Sequence, residues 1–200
     1  MRLFVALTPP GEVVRELLSA TAGLREVAPE LRWTRPEQWH LTLAFLGEVG
    51  DDVVDELTRR LGRAAARHPP LSLSLGGGGR FGYQVLWTGV RGDRDGLRRL
   101  ADSVRAAARR SRLPVEQRPY RPHLTLARVE VGTDPRPLVE RLAPWEGSPW
   151  RATRLHLVRS RLGAAPGGFA LHEPIAGWPL EGAARVGPCR AGGAVGGYVS

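Results

Sequence analysis

The sequence predicts an α+β fold of two pseudo-symmetric lobes, each an antiparallel sheet flanked by helices, with a central cleft. A chain of 200 residues suits one domain or two small lobes that share a core. Stretches with strand periodicity alternate with stretches of helical spacing. The five-residue sequence His-Leu-Thr-Leu-Ala begins at His40 and again 83 residues later at His123. Similar elements surround both copies, as expected for two related lobes.

Turn and capping residues set the element boundaries in the first half of the chain. Thr8 with Pro9 is a typical helix start, and either Asp51 or Asp52 would cap a second helix. The glycine run 76–79 predicts a flexible hairpin turn. The strands predicted for this half are 2–7, 40–46, 71–75 and 83–90.

The second half repeats this order. A helix starts at about Asp93, and Asp134 with Pro135 opens a shorter one. Between them, a Pro-containing connection leads into a strand over 123–129, and 150–162 and 169–178 are the closing strands. Residues 1–180 therefore form the predicted bilobal domain. Residues 181–200 contain six glycines with little apolar periodicity, which predicts a flexible tail.

Strand periodicity separates the repeated motif into two faces. Side chains alternate along a strand, so His40 and Thr42 point one way and the leucines between and after them point the other. The same holds for His123 and Thr125. If the leucines face the helices, approximate two-fold packing of the lobes brings two imidazoles and two hydroxyls into one cleft.

Composition excludes several classes of protein. There is no apolar run of about 18 residues and no signal-peptide core, so we expect a cytoplasmic protein without membrane contact. The single cysteine, Cys189, cannot form an internal disulfide or a Cys-rich metal site. All 29 basic residues are arginine against 20 acidic residues. A GC-rich coding bias explains this composition, and a polyanionic partner is the alternative.

Two imidazoles in one cleft can perform acid–base chemistry on a phosphoester. Near neutral pH one can be neutral and accept a proton from water, while the other is protonated and donates to a leaving oxygen. Threonine hydroxyls can donate to phosphate oxygens, so no metal or cofactor is required. Zinc is the competing use of two histidines, but no His-Glu-x-x-His spacing is present. Of the remaining histidines, His68 ends a helix before two prolines and is predicted to be a surface residue. His156 and His172 lie in predicted strands without a Thr two residues on and are predicted to be structural.

The chain resembles the 2H phosphoesterase superfamily, which is named for two His-x-Thr/Ser motifs, and within it the RNA 2′,3′-cyclic phosphodiesterases, once called 2′-5′ RNA ligases. The resemblance covers about residues 1–180. It rests on the segments 39–47 and 121–128, with support from 3–7 and from 155–163, which includes Ser160. Phe169 stands near where such sequences often carry Tyr.

The resemblance implies hydrolysis of a 2′,3′-cyclic phosphate to a 2′-phosphate, with RNA or a nucleotide as the partner of a monomeric enzyme. By motif position, His40 would be the proton donor and His123 the proton acceptor. Thr42, Thr125 and Arg128 would bind the phosphate. Strand parity places Arg128 on the leucine side, so its contact with phosphate needs a twist or bulge. An RNA-binding or 2′-5′ RNA-joining protein that uses the same cleft is the alternative function.

Overall fold

A computed structural model describes residues 1–130 and 132–183. Most of the predicted tail lies outside these residues, so the division at residue 180 stays a prediction. Within them the chain forms four helices, α1 (Gly11–Val27), α2 (Asp51–Ala65), α3 (Arg94–Arg110) and α4 (Arg136–Leu142). The strands are β1 (Arg2–Leu7), β2 (Arg32–Trp33), β3 (Leu41–Glu48), β4 (Leu71–Phe81), β5 (Val85–Gly92), β6 (His123–Arg128), β7 (Trp150–Ala152), β8 (Arg154–Ala165) and β9 (Phe169–Pro179).

Two antiparallel sheets confirm the predicted α+β class. One has four strands in the order β3-β1-β8-β9, and the other has five in the order β2-β6-β5-β4-β7. Each copy of the repeated motif lies beside the strand that opens its half, β3 beside β1 and β6 beside β5. The two motifs therefore occupy equivalent positions in different sheets.

The leucines of both motifs anchor these strands in one hydrophobic core. Leu41, Leu43, Leu124 and Leu126 are buried and belong to a single cluster that spans both sheets and all four helices. Burying a leucine side chain contributes about 1.5–3 kcal/mol, so four of them fix which face each strand turns inward. No helix among the described residues is long and apolar enough to cross a membrane.

Two predicted helix starts are wrong by one or two residues. Helix α1 begins at Gly11, with Pro10 rather than Thr8 at its N-cap. Helix α2 is capped by Gly50, and both aspartates lie inside its first turn, where their charge favours the helix dipole. The start of α3 is as predicted, since Asp93 Oδ1 accepts a hydrogen bond of 2.8 Å from the Gly96 amide.

The glycine run is a strand and not the predicted turn. Residues 76–79 lie within β4, and the hairpin turns instead after Phe81, at Gly82 with φ +54°. Close packing explains the glycines: a Cβ at Gly78 would lie 2.8 Å from the Val139 carbonyl oxygen of α4. A Cβ at Gly79 would overlap the ring of Trp87. The run of glycines suggests a flexible turn. The close approach of α4 and of the Trp87 ring instead leaves no space for side chains at these positions.

The predicted strand 150–162 is two strands in different sheets. β7 pairs with β4 in the five-stranded sheet, while β8 pairs with β1 and β9 in the four-stranded sheet. The chain changes sheets between Ala152 and Arg154. Apolar periodicity continues through this point because both strands face the shared core.

Candidate active site

The predicted site residues from both lobes line one cleft of about 490 Å³. His40 precedes β3 directly and Thr42 lies within it, while His123 and Thr125 lie on β6; all four are half-buried. The strand parity of the sequence therefore places the imidazoles and hydroxyls on the cleft side, opposite the buried leucines. Within the described residues, neither Thr42 Oγ1 nor Thr125 Oγ1 donates a hydrogen bond to protein, so both hydroxyls are available to a ligand.

A bulge brings Arg128 into the cleft, as its predicted role requires. Thr125 pairs with Trp87, but Ala127 pairs with Leu86, so one extra residue is inserted in β6 at this point. The insertion reverses the alternation beyond it, and Arg128 lines the cleft beside the threonine face.

The same irregularity recurs in the first motif. Thr42 pairs with Ala6 and Ala44 with Val5, so β3 also carries an extra residue between Thr42 and Ala44. Phe45, the residue equivalent to Arg128, is turned toward the cleft and is 61% exposed. The two lobes therefore present the same backbone geometry with different terminal side chains, one cationic and one aromatic.

Backbone carbonyls fix the tautomer of both motif histidines. His40 Nδ1 lies 2.6 Å from the Gln38 carbonyl oxygen, and His123 Nδ1 lies 2.7 Å from that of Arg121. A carbonyl only accepts hydrogen bonds, so Nδ1 carries a proton in each ring. Nε2 is therefore the nitrogen that gains and loses a proton in both histidines.

Aromatic rings hold each histidine on its flanks. The centroid of the His40 ring lies 4.6 Å from that of Phe4 and 5.1 Å from that of His172. The His123 ring lies 4.8 Å from that of Phe81 and 6.0 Å from that of Trp87. The glycines of β4 contribute here, because the small residue at position 79 makes room for the Trp87 ring.

Burial lowers the pKa of both motif histidines. Desolvation is the largest cause at His40, and with repulsion from His172 and His123 it lowers the pKa to about 4, against the opposing effect of the Gln38 carbonyl. Desolvation also lowers the pKa of His123, again opposed by a carbonyl. Both imidazoles of the unliganded protein are therefore neutral at pH 7.

The segment between α1 and β3 ties the two lobes together at the cleft. Thr34 Oγ1 lies 2.9 Å from the Thr125 carbonyl oxygen and 2.8 Å from that of Leu126, both on β6. Gln38 Nε2 donates to the Ala170 carbonyl on β9 at 2.8 Å. Because Gln38 also holds the His40 ring, these contacts link the position of one imidazole to the strand that carries the other.

The cleft carries only positive charge. Arg2, Arg32 and Arg128 line it, and its described lining includes no aspartate or glutamate. Among the described residues, no group of three or more His, Cys, Asp or Glu side chains could hold a metal ion. The arrangement suits an anionic ligand contacted by hydroxyl and guanidinium donors, with one motif imidazole from each sheet.

His172 is a site residue that sequence reasoning missed. The sequence predicts a structural role for His172, but its side chain lines the cleft from β9 and meets the His40 ring edge-to-face at 75°. Its buried Nδ1 has no hydrogen-bond partner among the described residues, and burial lowers its pKa. No local pattern could have identified it, because its place depends on β9 pairing with β8. His156 does not line the cleft.

Comparison with known proteins finds one family. A profile of the 2′-5′ RNA ligase superfamily matches residues 12–164. A protein of Thermus thermophilus named RNA 2′,3′-cyclic phosphodiesterase is 33% identical over 81% of this chain and 83% of its own length. One of Escherichia coli with the same name is 36% identical over 64% of this chain and 71% of its own. An RNA 2′,3′-cyclic phosphodiesterase of Geobacillus stearothermophilus is 29% identical over 90% of this chain, but the match covers only 57% of that protein's own length.

Solved structures agree with this relationship. A protein of Thermus thermophilus superposes with a TM-score of 0.77 at 30% identity, covering 91% of this chain and 99% of that one. Escherichia coli LigT in complex with 3′-AMP superposes with a TM-score of 0.74 at 30% identity, covering 90% and 97%. LigT has also been solved in complex with phosphate, with a TM-score of 0.66 at 29% identity, covering 90% and 96%.

Proposed function

Since this chain belongs to the 2′-5′ RNA ligase superfamily, we propose that it is an RNA 2′,3′-cyclic phosphodiesterase that produces a 2′-phosphate by two-histidine acid–base catalysis. The observation that carries the proposal is the single cleft into which equivalent strands of two lobes place His40 with Thr42 and His123 with Thr125. Relatives at about 30% identity that bear this activity as their name, and a LigT structure that holds 3′-AMP, support the choice of a nucleotide substrate.

The proposed reaction is an in-line displacement at phosphorus. A water oxygen attacks the cyclic phosphate and forms a new P–O bond, while the proton of that water passes to Nε2 of His123. The P–O3′ bond breaks, and Nε2 of His40 gives its proton to O3′. The 2′-phosphate remains on the ribose, and proton exchange with solvent restores both imidazoles.

Three neighbouring donors would stabilise the charge on the phosphate. The free hydroxyls of Thr42 and Thr125 donate to the non-bridging oxygens from opposite lobes. Arg128 adds a guanidinium whose fork matches two phosphate oxygens. The buried leucines fix the strands that carry both threonines before substrate arrives, and donors held in position in advance lower a barrier most.

Substrate binding would also correct the protonation state of the acid. With a pKa of about 4, His40 is neutral in the unliganded protein at pH 7 and cannot donate. A cyclic phosphate carries one negative charge, and an opposite charge within about 4–6 Å raises the pKa of an imidazole. The anion therefore favours the protonated form that the leaving O3′ requires.

The direct test is incubation of the purified protein with 2′,3′-cyclic AMP in the presence of EDTA. We expect conversion to the 2′-phosphate, identified by its separation from the 3′-isomer, with the same rate before and after chelation, because side chains supply the acid, the base and the phosphate donors. A rate that EDTA abolishes and zinc or magnesium restores would refute the metal-free mechanism. Binding without turnover would leave RNA binding or RNA joining as the function.

The lowered pKa values predict an acidic optimum for kcat/KM. Activity requires one imidazole to be neutral and the other protonated, so it falls below the lower pKa and above the higher one, whichever residue has which role. Those limits are about 4 for His40 and a value below 6.5 for His123. We therefore expect a bell-shaped profile of kcat/KM with its maximum between about pH 4 and pH 6.5. A maximum above pH 8 would contradict it.

His172 provides a control for this profile. Replacing it with phenylalanine keeps a ring beside His40 but removes an imidazole that lowers the pKa of His40. The lower limit of the bell should therefore move to higher pH in His172→Phe, and His156→Phe should leave it in place because His156 lies outside the cleft. The other charged or titratable side chains of the cleft, His123, Arg2, Arg32 and Arg128, are the same in both variants.

A further inference from the structure

Two arginines of the cleft stand directly opposite each other on neighbouring strands. Arg32 of β2 is the cross-strand partner of Arg128 on β6, and both side chains line the cleft. Like charges in directly opposite positions destabilise a strand pair. Neither guanidinium forms an ion pair with a carboxylate among the described residues. An anion bound between or beside them would remove this cost.

Arg32 is held in place before any ligand arrives. Its Nη2 donates to the Gly168 carbonyl at 2.6 Å, and its guanidinium lies 4.9 Å from the centroid of the Phe169 ring. A guanidinium has five N–H donors, so four remain. Gly168 lies in the turn before β9 and Phe169 is the first residue of β9, and both residues also line the cleft. The fixed side chain loses little conformational entropy on binding, which favours its use as a ligand-binding group.

The position of Arg32 is one strand farther from the reacting phosphate than Arg128. Arg128 follows Thr125 on β6, so the proposed function places the cyclic phosphate beside it. A 2′,3′-cyclic phosphate is the 3′ end of its chain, so any further phosphate of the substrate lies on the 5′ side of the terminal nucleotide. We propose that Arg32 forms a subsite for this 5′-side phosphate, so that a substrate with a phosphate on its 5′ side is hydrolysed more efficiently than one without it.

This inference rests on the proposed function, and three substrates separate the two. Adenosine 2′,3′-cyclic phosphate lacks a 5′ phosphate, its 5′-phosphorylated form adds only that group, and ApA ending in a 2′,3′-cyclic phosphate adds a phosphodiester and a base. A charge-assisted hydrogen bond contributes about 1.5–3 kcal/mol, which corresponds to a gain of roughly 10- to 100-fold in kcat/KM. We expect this gain for both phosphate-bearing substrates over the unphosphorylated one.

Arg32→Ala should remove the gain, lowering the ratio of kcat/KM between 5′-phosphorylated and unphosphorylated substrate about 10-fold or more, mainly through KM. Arg32→Lys should retain part of it, because lysine keeps the charge but not the fork. Arg35→Ala is the matched control, because it changes the net charge by the same amount. The Arg35 guanidinium also lies over the Phe169 ring, 4.8 Å from its centroid, but Arg35 does not line the cleft. Its loss should therefore leave the ratio unaltered.

Ionic strength gives an independent measurement. Loss of one phosphate contact to a single strand should reduce the slope of log kcat/KM against log salt by about 0.7 for the dinucleotide in Arg32→Ala. Arg35→Ala should keep the wild-type slope.

Three results would overturn the subsite. The wild type could show no gain from the 5′ phosphate, Arg32→Ala could slow all three substrates by the same factor, or a gain could appear only with the dinucleotide, which would indicate contact with the added base. Failure of the wild type to hydrolyse any of the three would instead refute the proposed function itself.

Discussion

Replacement of His40 or His123 by alanine is expected to lower kcat/KM by about 10²–10⁴-fold, because each substitution removes one proton-transfer group. The variants should stay folded, since both side chains are half-buried on the cleft side while the leucines beside them fill the core. His156→Ala is the matched control, because it removes a half-buried histidine whose side chain does not line the cleft. Steady-state kinetics and thermal unfolding of the three variants provide the measurement.

The residual activities also separate the two roles. If His123 accepts the proton, His123→Ala loses the acidic limb of the pH profile, and its remaining activity falls as pH rises through the pKa of His40. If His40 donates the proton, His40→Ala loses the basic limb, and its remaining activity rises to a plateau above the pKa of His123. The opposite pair of results would exchange donor and acceptor. Full turnover in either variant would remove that histidine from the mechanism.

Thr42→Val and Thr125→Val are expected to lower kcat by about 10²–10³-fold each, because each removes a donor to the charge that develops on the phosphate. Valine keeps the branched shape and the strand preference of threonine. Since neither hydroxyl has a protein partner among the described residues, the thermal midpoint should change little. Serine at either position should restore most of the rate, because it returns the hydroxyl.

Thr88→Val gives the opposite pattern and so serves as the control. Thr88 is fully buried, and its hydroxyl donates to the Gly77 carbonyl at 2.9 Å. Its removal leaves the half-buried Gly77 carbonyl without that partner, at a cost of about 1–3 kcal/mol in the free energy of unfolding. We expect Thr88→Val to lower the melting temperature with kcat retained. A loss of stability without loss of kcat in the Thr42 or Thr125 variants would show that these are packing residues.

The sequence by itself determined the central pair of the site. Alternation along a strand requires His40 and Thr42 to share a face, and burial of the leucines decides that this face points away from the core. A second copy of the same five residues then predicts a second such face. These inferences hold because they depend on neighbours in the chain and on the hydrophobic effect, both of which a sequence displays directly.

Backbone irregularities and close packing could not be inferred in the same way. Parity alone turned Arg128 toward the leucine side, and only the extra residue in β6 returns it to the cleft. The glycine run suggested a turn, whereas its glycines make room for α4 and for the Trp87 ring. In each case the deciding contact joins residues from different elements, which local propensity does not describe.

Tertiary structure alone decided which further side chains join the cleft. His172 reaches His40 through the β8–β9 pairing, and Arg32 meets Arg128 through a two-residue strand that lies far from its partner along the chain. Neither residue belongs to a recognisable motif. Periodicity in the sequence shows which face of a strand or helix a side chain occupies. Strand pairing and packing of the whole chain decide which other element lies against that face, and therefore which residues the side chain contacts.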